Sequence, residues 1–305
     1  MANAQAGIFA MGSSSHIYLE FSLLKEDEGI DLVEAIASLE MPQATVAGSN
    51  LVVGVRPTLW RTLSPHDTPS MLFDFSESLT GPDGFEMPAT QRDLFVWIAS
   101  GSQGQVFDVA ETVVETVTPF AVLNEEITGW HYRQNRDLIG FVDGTANPIL
   151  SEAPSVALIP QGSPGECGSV LLFQRWRHSL PEFNELSVTE QEMVIGRTKI
   201  DSEEFEEELL PPSSHVARTT LMENDEELPI FRRNTSYGSP RENGTVFVGF
   251  SKDQPRLHAM LQRMAGIPDG IRDALTYYST PLSGSYYFVP SVEALGSFID
   301  AAQDR

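Results

Sequence analysis

The chain has 305 residues, 41% hydrophobic and 20% charged, enough for one large domain or two of roughly 150 residues. A formal net charge of -24, from 43 Asp and Glu against 19 Lys and Arg, repels phosphate backbones and anionic membrane surfaces and argues against a nucleic-acid partner. The single cysteine, Cys167, excludes an intramolecular disulfide framework and any four-cysteine zinc or iron–sulfur site, and it suits a reducing compartment.

Residues 1–8 carry neither the basic segment nor the long apolar segment of a signal peptide, and no later apolar run approaches about 18 residues. The expectation is a soluble, cytoplasmic protein that does not engage a membrane. Further along, Ile17–Leu23 alternates like a strand, Glu28–Leu39 has helical apolar spacing, and Leu51–Val55 is a buried-strand candidate. Asp93–Ala99 reads as another strand and Val106–Val117 as a second amphipathic helix. These five follow roughly the β-α-β-β-α-β order of a ferredoxin-like unit.

The order recurs in the second half. Gly168–Trp176 is a strand candidate, and a helix over Thr189–Gly196 starts at Ser187, with Glu190 placed for a capping box. Thr245–Phe250 follows as a strand, Gln254–Ala265 as a helix and Ser285–Val289 as a strand. The predicted fold class is therefore α+β, with similar halves over residues 1–145 and 146–305.

Three segments carry candidate chemistry. In Gly140-Phe141-Val142-Asp143-Gly144-Thr145-Ala146-Asn147-Pro148 one carboxylate sits between glycines that permit torsions and close approaches a Cβ forbids. Asp-Gly and Asn-Pro are equally the chemistry of an ordinary turn. In Pro211-Pro212-Ser213-Ser214-His215-Val216-Ala217-Arg218 prolines stiffen the approach to a lone histidine, a geometry open to an axial ligand or to a satisfied surface imidazole. His16, His66, His131, His178 and His258 have no better claim, and no HxxxH or HxH pair exists. In Phe231-Arg232-Arg233-Asn234 two permanent charges follow the apolar Leu228-Pro229-Ile230, suited either to an oxyanion or to a strand end in solvent.

In this order the three segments resemble the dye-decolourising peroxidases, most closely the bacterial class called type B or P. Gly140 to Pro148 is similar to that family's Gly-Phe-x-Asp-Gly-Thr signature, Ser214–Arg218 to its haem-ligand segment, and Arg232–Asn234 to its distal arginine-x-asparagine segment. The resemblance extends to Ile195–Lys199, Gly244–Phe250 and Gly284–Ser291. It implies two ferredoxin-like halves with antiparallel sheets and one b-type haem bound mainly by the C-terminal half. It also implies that hydrogen peroxide is reduced while organic donors such as dyes or phenols are oxidised one electron at a time.

On this resemblance His215 is the iron ligand, Asp143 the distal acid-base residue and Arg232 the distal arginine, chosen over Arg233 because Asn234 then matches the distal asparagine. Gly144, Thr145, Arg197 and Phe247 join the cofactor-binding set, Arg197 as a partner for a haem propionate. Of the aromatics on the 245–250 strand, only one is expected to face the macrocycle. The acidic partner that relatives place near Leu275–Thr280 for the proximal histidine is replaced by tyrosine at the apparent position, which leaves the partner of His215 open. Trp60, Trp97, Trp130, Trp176 and the tyrosines, Tyr277 among them, are candidate electron relays. A homo-oligomer is expected from the resemblance. The alternative is a haem-binding or haem-transfer protein of the same fold, or a relative acting on chlorite or removing iron from haem.

Overall fold

A computed structural model describes residues 2–39 and 48–303. Eight strands organise it: β1 (Ser15–Leu23), β2 (Asn50–Val55), β3 (Leu94–Ser100), β4 (Ala121–Trp130), β5 (Ser169–His178), β6 (Thr235–Gly238), β7 (Asn243–Ser251) and β8 (Ser285–Val289). The helices that matter here are α1 (Gly29–Ala37), α2 (Gln103–Val117), α3 (Val188–Ile195), α4 (His215–Thr219), α5 (Gln254–Met264) and α6 (Val292–Gln303). Each strand and helix predicted from the sequence lies within a residue or a few of an observed one. The Ser187–Glu190 capping box is formed in both directions at the start of α3.

The first half pairs in the order β4-β1-β3-β2 and the second in the order β6-β7-β5-β8, the same arrangement twice. The α+β, ferredoxin-like expectation holds, and the structure adds something that alternation alone cannot show. The two sheets join edge to edge, β4 to β6 and β2 to β8, so the hydrogen bonding runs round an eight-stranded antiparallel ring. Closure removes the sheet edges that would otherwise stand open.

Side chains alternate between the two faces of the ring. The inward face is dry and aromatic: Tyr18, Phe95, Trp97, Phe173, Phe250 and Tyr287 belong to one buried cluster there. Outside, α1, α2 and α6 cover the first half, and their apolar faces enter a second cluster with Leu19, Val53 and Ile98 from the strands' outer faces. The outer face of β5 and β7 is covered differently. There Gln174, Trp176, His178, Thr245 and Phe247 form the floor of a cavity, walled by α3, α4 and α5 and by the 137–147 loop.

Candidate active site

The 137–147 loop is held as a series of tight turns. The Asp137 amide donates to the Phe141 carbonyl at 2.8 Å, that of Gly140 to the Asp137 carbonyl at 2.9 Å and that of Asp143 to the Asn135 carbonyl at 2.8 Å. Gly140 and Gly144 have φ of +97° and +77°, the left-handed region that glycine enters without steric cost. The Asn147 side chain then ties the loop to the neighbouring strand segment: its amide donates to the Arg232 carbonyl and its oxygen accepts from the Arg232 amide, both at 2.9 Å.

That segment runs beside β7 and is interrupted at Arg233–Asn234, where the Asn234 side-chain oxygen accepts from the Val248 amide at 3.2 Å. Arg232 and Asn234 line the cavity. Arg233 goes the other way: its guanidinium donates to the carbonyls of Ile8 at 2.8 Å and Ala10 at 2.5 Å, 5.0 Å above the Trp97 ring.

His215 opens α4, whose N-cap Ser214 accepts from the Ala217 amide. The short helix is clamped to the end of α5. Arg218, 3% exposed, forms a two-pronged pair with Asp269 at 2.8 and 2.9 Å and donates to the Arg263 carbonyl, while Arg263 donates back to the carbonyls of Ala217 and Arg218. The His215 Nδ1–H donates to the wholly buried Asp273 carboxylate at 2.7 Å, which leaves Nε2 as the free nitrogen.

The open question about the partner of His215 is thus answered, and the expectation of a tyrosine in its place is corrected. The acid is Asp273, two residues ahead of the Leu275–Thr280 segment, where it also caps the Ala274–Tyr277 turn through the Leu275 amide. Tyr277 is 60% exposed and stacks on Arg272, away from His215.

Asp143, Gly144, Thr145, Arg197, His215, Arg232, Asn234 and Phe247 all line the one cavity. Phe247 faces it while Phe250 enters the ring interior, as a period of two requires. Arg197 is engaged with the Glu204 carboxylate and the Ser202 carbonyl.

Two residues that the sequence analysis did not assign to the site, Asp137 and His178, meet where the loop joins the floor. The His178 Nε2 donates to Asp137 at 3.1 Å, the Thr245 hydroxyl donates to the same carboxylate, and His178 Nδ1 lies 2.5 Å from the Ser279 hydroxyl. Burial pushes the Asp137 carboxyl up, but the His178 ring and the hydrogen bonds from His178, the Ile139 amide and Thr245 outweigh it and hold it at about 2. For Asp143 burial wins: its carboxyl is raised above the usual range, with the Asp137 charge adding to the rise. The Arg232 charge and hydrogen bonds from Asn234 and the Gly144 amide oppose it.

The family model described as Dyp-type peroxidase, N-terminal, matches residues 5–131, and that described as Dyp-type peroxidase, C-terminal, matches residues 134–294. The chain belongs to the Dyp-type peroxidase family. Among Dyp-type peroxidase relatives, the dye-decolorizing peroxidase of Mycolicibacterium paratuberculosis is 35% identical over 87% of this chain and 74% of its own length. That of Rhodococcus erythropolis is 33% identical over 93% and 86%. A Dyp-type peroxidase structure from Shewanella oneidensis superposes with a TM-score of 0.90 at 31% identity, covering 97% of this chain and 99% of that one. An aspartate-to-alanine variant of Rhodococcus jostii RHA1 DypB, solved in complex with heme, gives 0.86 at 33% identity over 93% and 96%.

Among the described residues of this Dyp-type peroxidase no helix is long and apolar enough to cross a membrane. Its cavity is a deep cleft, open to solvent on one side, between the floor strands, the helices and the 137–147 loop. The walls are largely apolar, the free His215 nitrogen belongs to one of them, and the buried Gln174 amide nitrogen in the floor has no hydrogen-bond partner. A large, flat macrocycle with a metal and polar edge groups fits that set of walls and donors.

Proposed function

We propose that the cavity holds one haem b, whose iron His215 Nε2 would bind, and that the chain is a haem-dependent peroxidase that reduces hydrogen peroxide and oxidises organic donors one electron at a time. The observation that carries this is the convergence on one cavity of an Asp273-tethered histidine with Asp143, Arg232 and Asn234. When bound, the haem supplies the redox chemistry, taking two electrons' worth of oxidation from peroxide and passing it on in single steps.

The residues of the chain do the rest. Asp143, when ionised, takes the proton from one peroxide oxygen and returns it to the other, which leaves as water. Arg232 offers permanently charged donors to the negative charge that builds as the O–O bond breaks. Asn234 orients Asp143 through its amide. Asp273 fixes the His215 tautomer and raises its basicity as a ligand. Among the residues that would hold the haem, Gly144 and Thr145 would offer the loop backbone, Phe247 an apolar ring and Arg197 a charge for a propionate. From the single cysteine we also propose a cytoplasmic setting, and from the family resemblance a homo-oligomer.

Haem titrated into the haem-free chain tests the assignment. Wild type should develop a Soret band and consume peroxide rapidly, and His215→Ala should lose the band. Replacing Asp143 with Ala and Arg232 with Leu should each slow peroxide consumption by about 100-fold, within the range for general acid-base groups and oxyanion donors. A peroxide rate unchanged in both variants would remove the distal assignment.

A further inference from the structure

Inside the ring, outside the cavity lining, lies a carboxylate that peroxide reduction does not use. Glu20 is 2% exposed, and its neighbours on the inward face are aromatic and aliphatic. A charge there is costly unless something answers it, and among the described residues no cation forms a salt bridge with Glu20, the Arg92 charge acting on it only from further off. Its direct partner is the Tyr287 hydroxyl, itself fully buried, which donates to Glu20 Oε1 at 2.5 Å. The buried Ser285 hydroxyl adjoins both groups. A β-bulge between Glu20 and Phe21 sets this position in β1, and bare Gly54 leaves room for the Tyr287 side chain to pack against it.

From this juxtaposition we infer that the Tyr287–Glu20 pair is an internal redox site, which surrenders one electron to the oxidised cofactor when peroxide has been reduced and no organic donor is at hand. The inference rests on the peroxide chemistry proposed for the cavity. Peroxide takes up two electrons; one comes from the haem and the other from the pair. Tyr287–OH and Glu20–COO⁻ become a Tyr287 phenoxyl radical and Glu20–COOH, the O–H bond of the tyrosine breaking as that of the acid forms. The pair thereby passes from a net charge of minus one to neutral, without any proton leaving the ring.

That change of charge explains why the site sits where it does. A dry interior favours neutral products, so the burial that raises the Glu20 carboxyl to about 7 also makes it a ready proton acceptor. Other oxidisable rings in the ring lack this advantage. Tyr18 shares its hydroxyl with Thr235 at 3.0 Å, and Trp97 donates to His16 at 3.1 Å. Oxidation of Trp97 with proton transfer to His16 would leave a cation in the same dry space, beside Arg233.

The path is short. Leu171 stands opposite Tyr287 across β5 and β8, and Gln174, in the cavity floor, lies three residues further along β5, about 10 Å away at roughly 3.3 Å per residue. Rings in contact fill the space around it, with Tyr287 stacked on Phe95 at 5.3 Å, and tilted pairs of Phe95 with Phe173 at 4.8 Å and Phe173 with Tyr18 at 5.7 Å.

The test uses the haem-loaded full chain, one equivalent of hydrogen peroxide, no donor and rapid freezing for electron paramagnetic resonance. Wild type should show a tyrosyl signal that narrows on ring deuteration of tyrosine, with a protonated-carboxyl band in the infrared difference spectrum. Tyr287→Phe and Glu20→Gln should each lower the radical yield by about tenfold or more, the value of one charge-assisted hydrogen bond, and Glu20→Gln should lose the infrared band. An undiminished signal in Tyr287→Phe, or full yield in Glu20→Gln, overturns the inference. Should either variant fail to fold, the wild-type infrared band decides: a tyrosyl radical without it overturns the inference as well. Peroxide consumed without any tyrosyl signal refutes this pair and leaves the cavity assignment standing, whereas peroxide left unconsumed refutes both.

Discussion

Replacing Asp273 with Asn isolates the electronic tuning of His215 with little change of shape. The native carboxylate uses one oxygen for the His215 Nδ1–H at 2.7 Å and the other for the Leu275 amide at 2.9 Å. An amide has a single acceptor, so one of these two donors must go unanswered in a site where Asp273 is wholly buried. Losing a charge-assisted bond costs about 1.5–3 kcal/mol. That agrees with the roughly 10–100-fold effect expected of a residue that orients a metal-bound histidine. If the loss falls mainly on the ferric state, which draws more from an electron-rich imidazole, the ferric/ferrous midpoint should rise by about 60–120 mV at 59 mV per tenfold. Spectroelectrochemistry of the haem-loaded Asn variant measures this directly, with thermal unfolding as a control for the turn. A midpoint within about 15 mV of wild type, against that 59 mV per tenfold, would show that the Asp273 charge does not reach the iron.

The Asp137→Asn variant addresses acidity in the distal wall. Asp143 acts as a base only when ionised, and its raised value means the ionised fraction falls as pH drops through a point above the ordinary carboxylate range. Removing the Asp137 charge lowers that value, so the acid limb of the peroxide reaction should move to lower pH in stopped-flow profiles; a limb that stays or rises contradicts the coupling. Arg218→Ala should destabilise the fold by about 2–4 kcal/mol in urea unfolding, since it strips a buried guanidinium and the clamp behind α4. In Gly244→Ala the new Cβ would stand 1.8 Å from the Trp176 carbonyl oxygen, prising β5 from β7 at the cavity floor, and should cost about 3 kcal/mol or more by thermal unfolding. Cationic donors should be oxidised with a lower KM than anionic ones at low salt, a gap that closes with added salt given the -24 net charge; equal KM values at both salt levels would dismiss steering.

The parts of the molecule legible in the sequence are those encoded locally. Period-two alternation placed the strands and sorted Phe247 from Phe250, and Ser187 with Glu190 marked the start of α3. The glycines flanking Asp143 were visible as a special backbone, though a turn explained them equally well until His215 and Arg232 were set beside them.

Asp273 escaped because a lone Asp before a turn looks like a cap, and it is one; its second oxygen serves a residue 58 positions away. Asp137 and His178 are separated by 41 positions, and only the fold makes them partners. A signal existed for His178. It lies on the same face of β5 as Gln174 and Trp176, so knowing that this face meets the cavity would have been enough. Ring closure was not readable either, since alternation tells which face of a strand is buried and is silent about its neighbour.

The seams of the ring bear on how the chain reaches this state. One seam is held by two residue pairs, Ser236 with Trp130 and Tyr237 with Gly129, and the other by Phe288 with Val55 alone. A chain emerging from its N-terminus therefore exposes both rims of its first four strands until residues beyond 235 and 285 arrive, a window in which bare strand edges invite pairing with another chain. Such distant closures also slow folding. The segment before β1 acts as a stitch across the weaker seam: the Gln5 side chain bonds Val53 at 2.7 and 2.9 Å on one strand and Pro290 at 3.0 Å just past the other. Refolding yield, more than equilibrium stability, is where the loss of that one glutamine would be felt first.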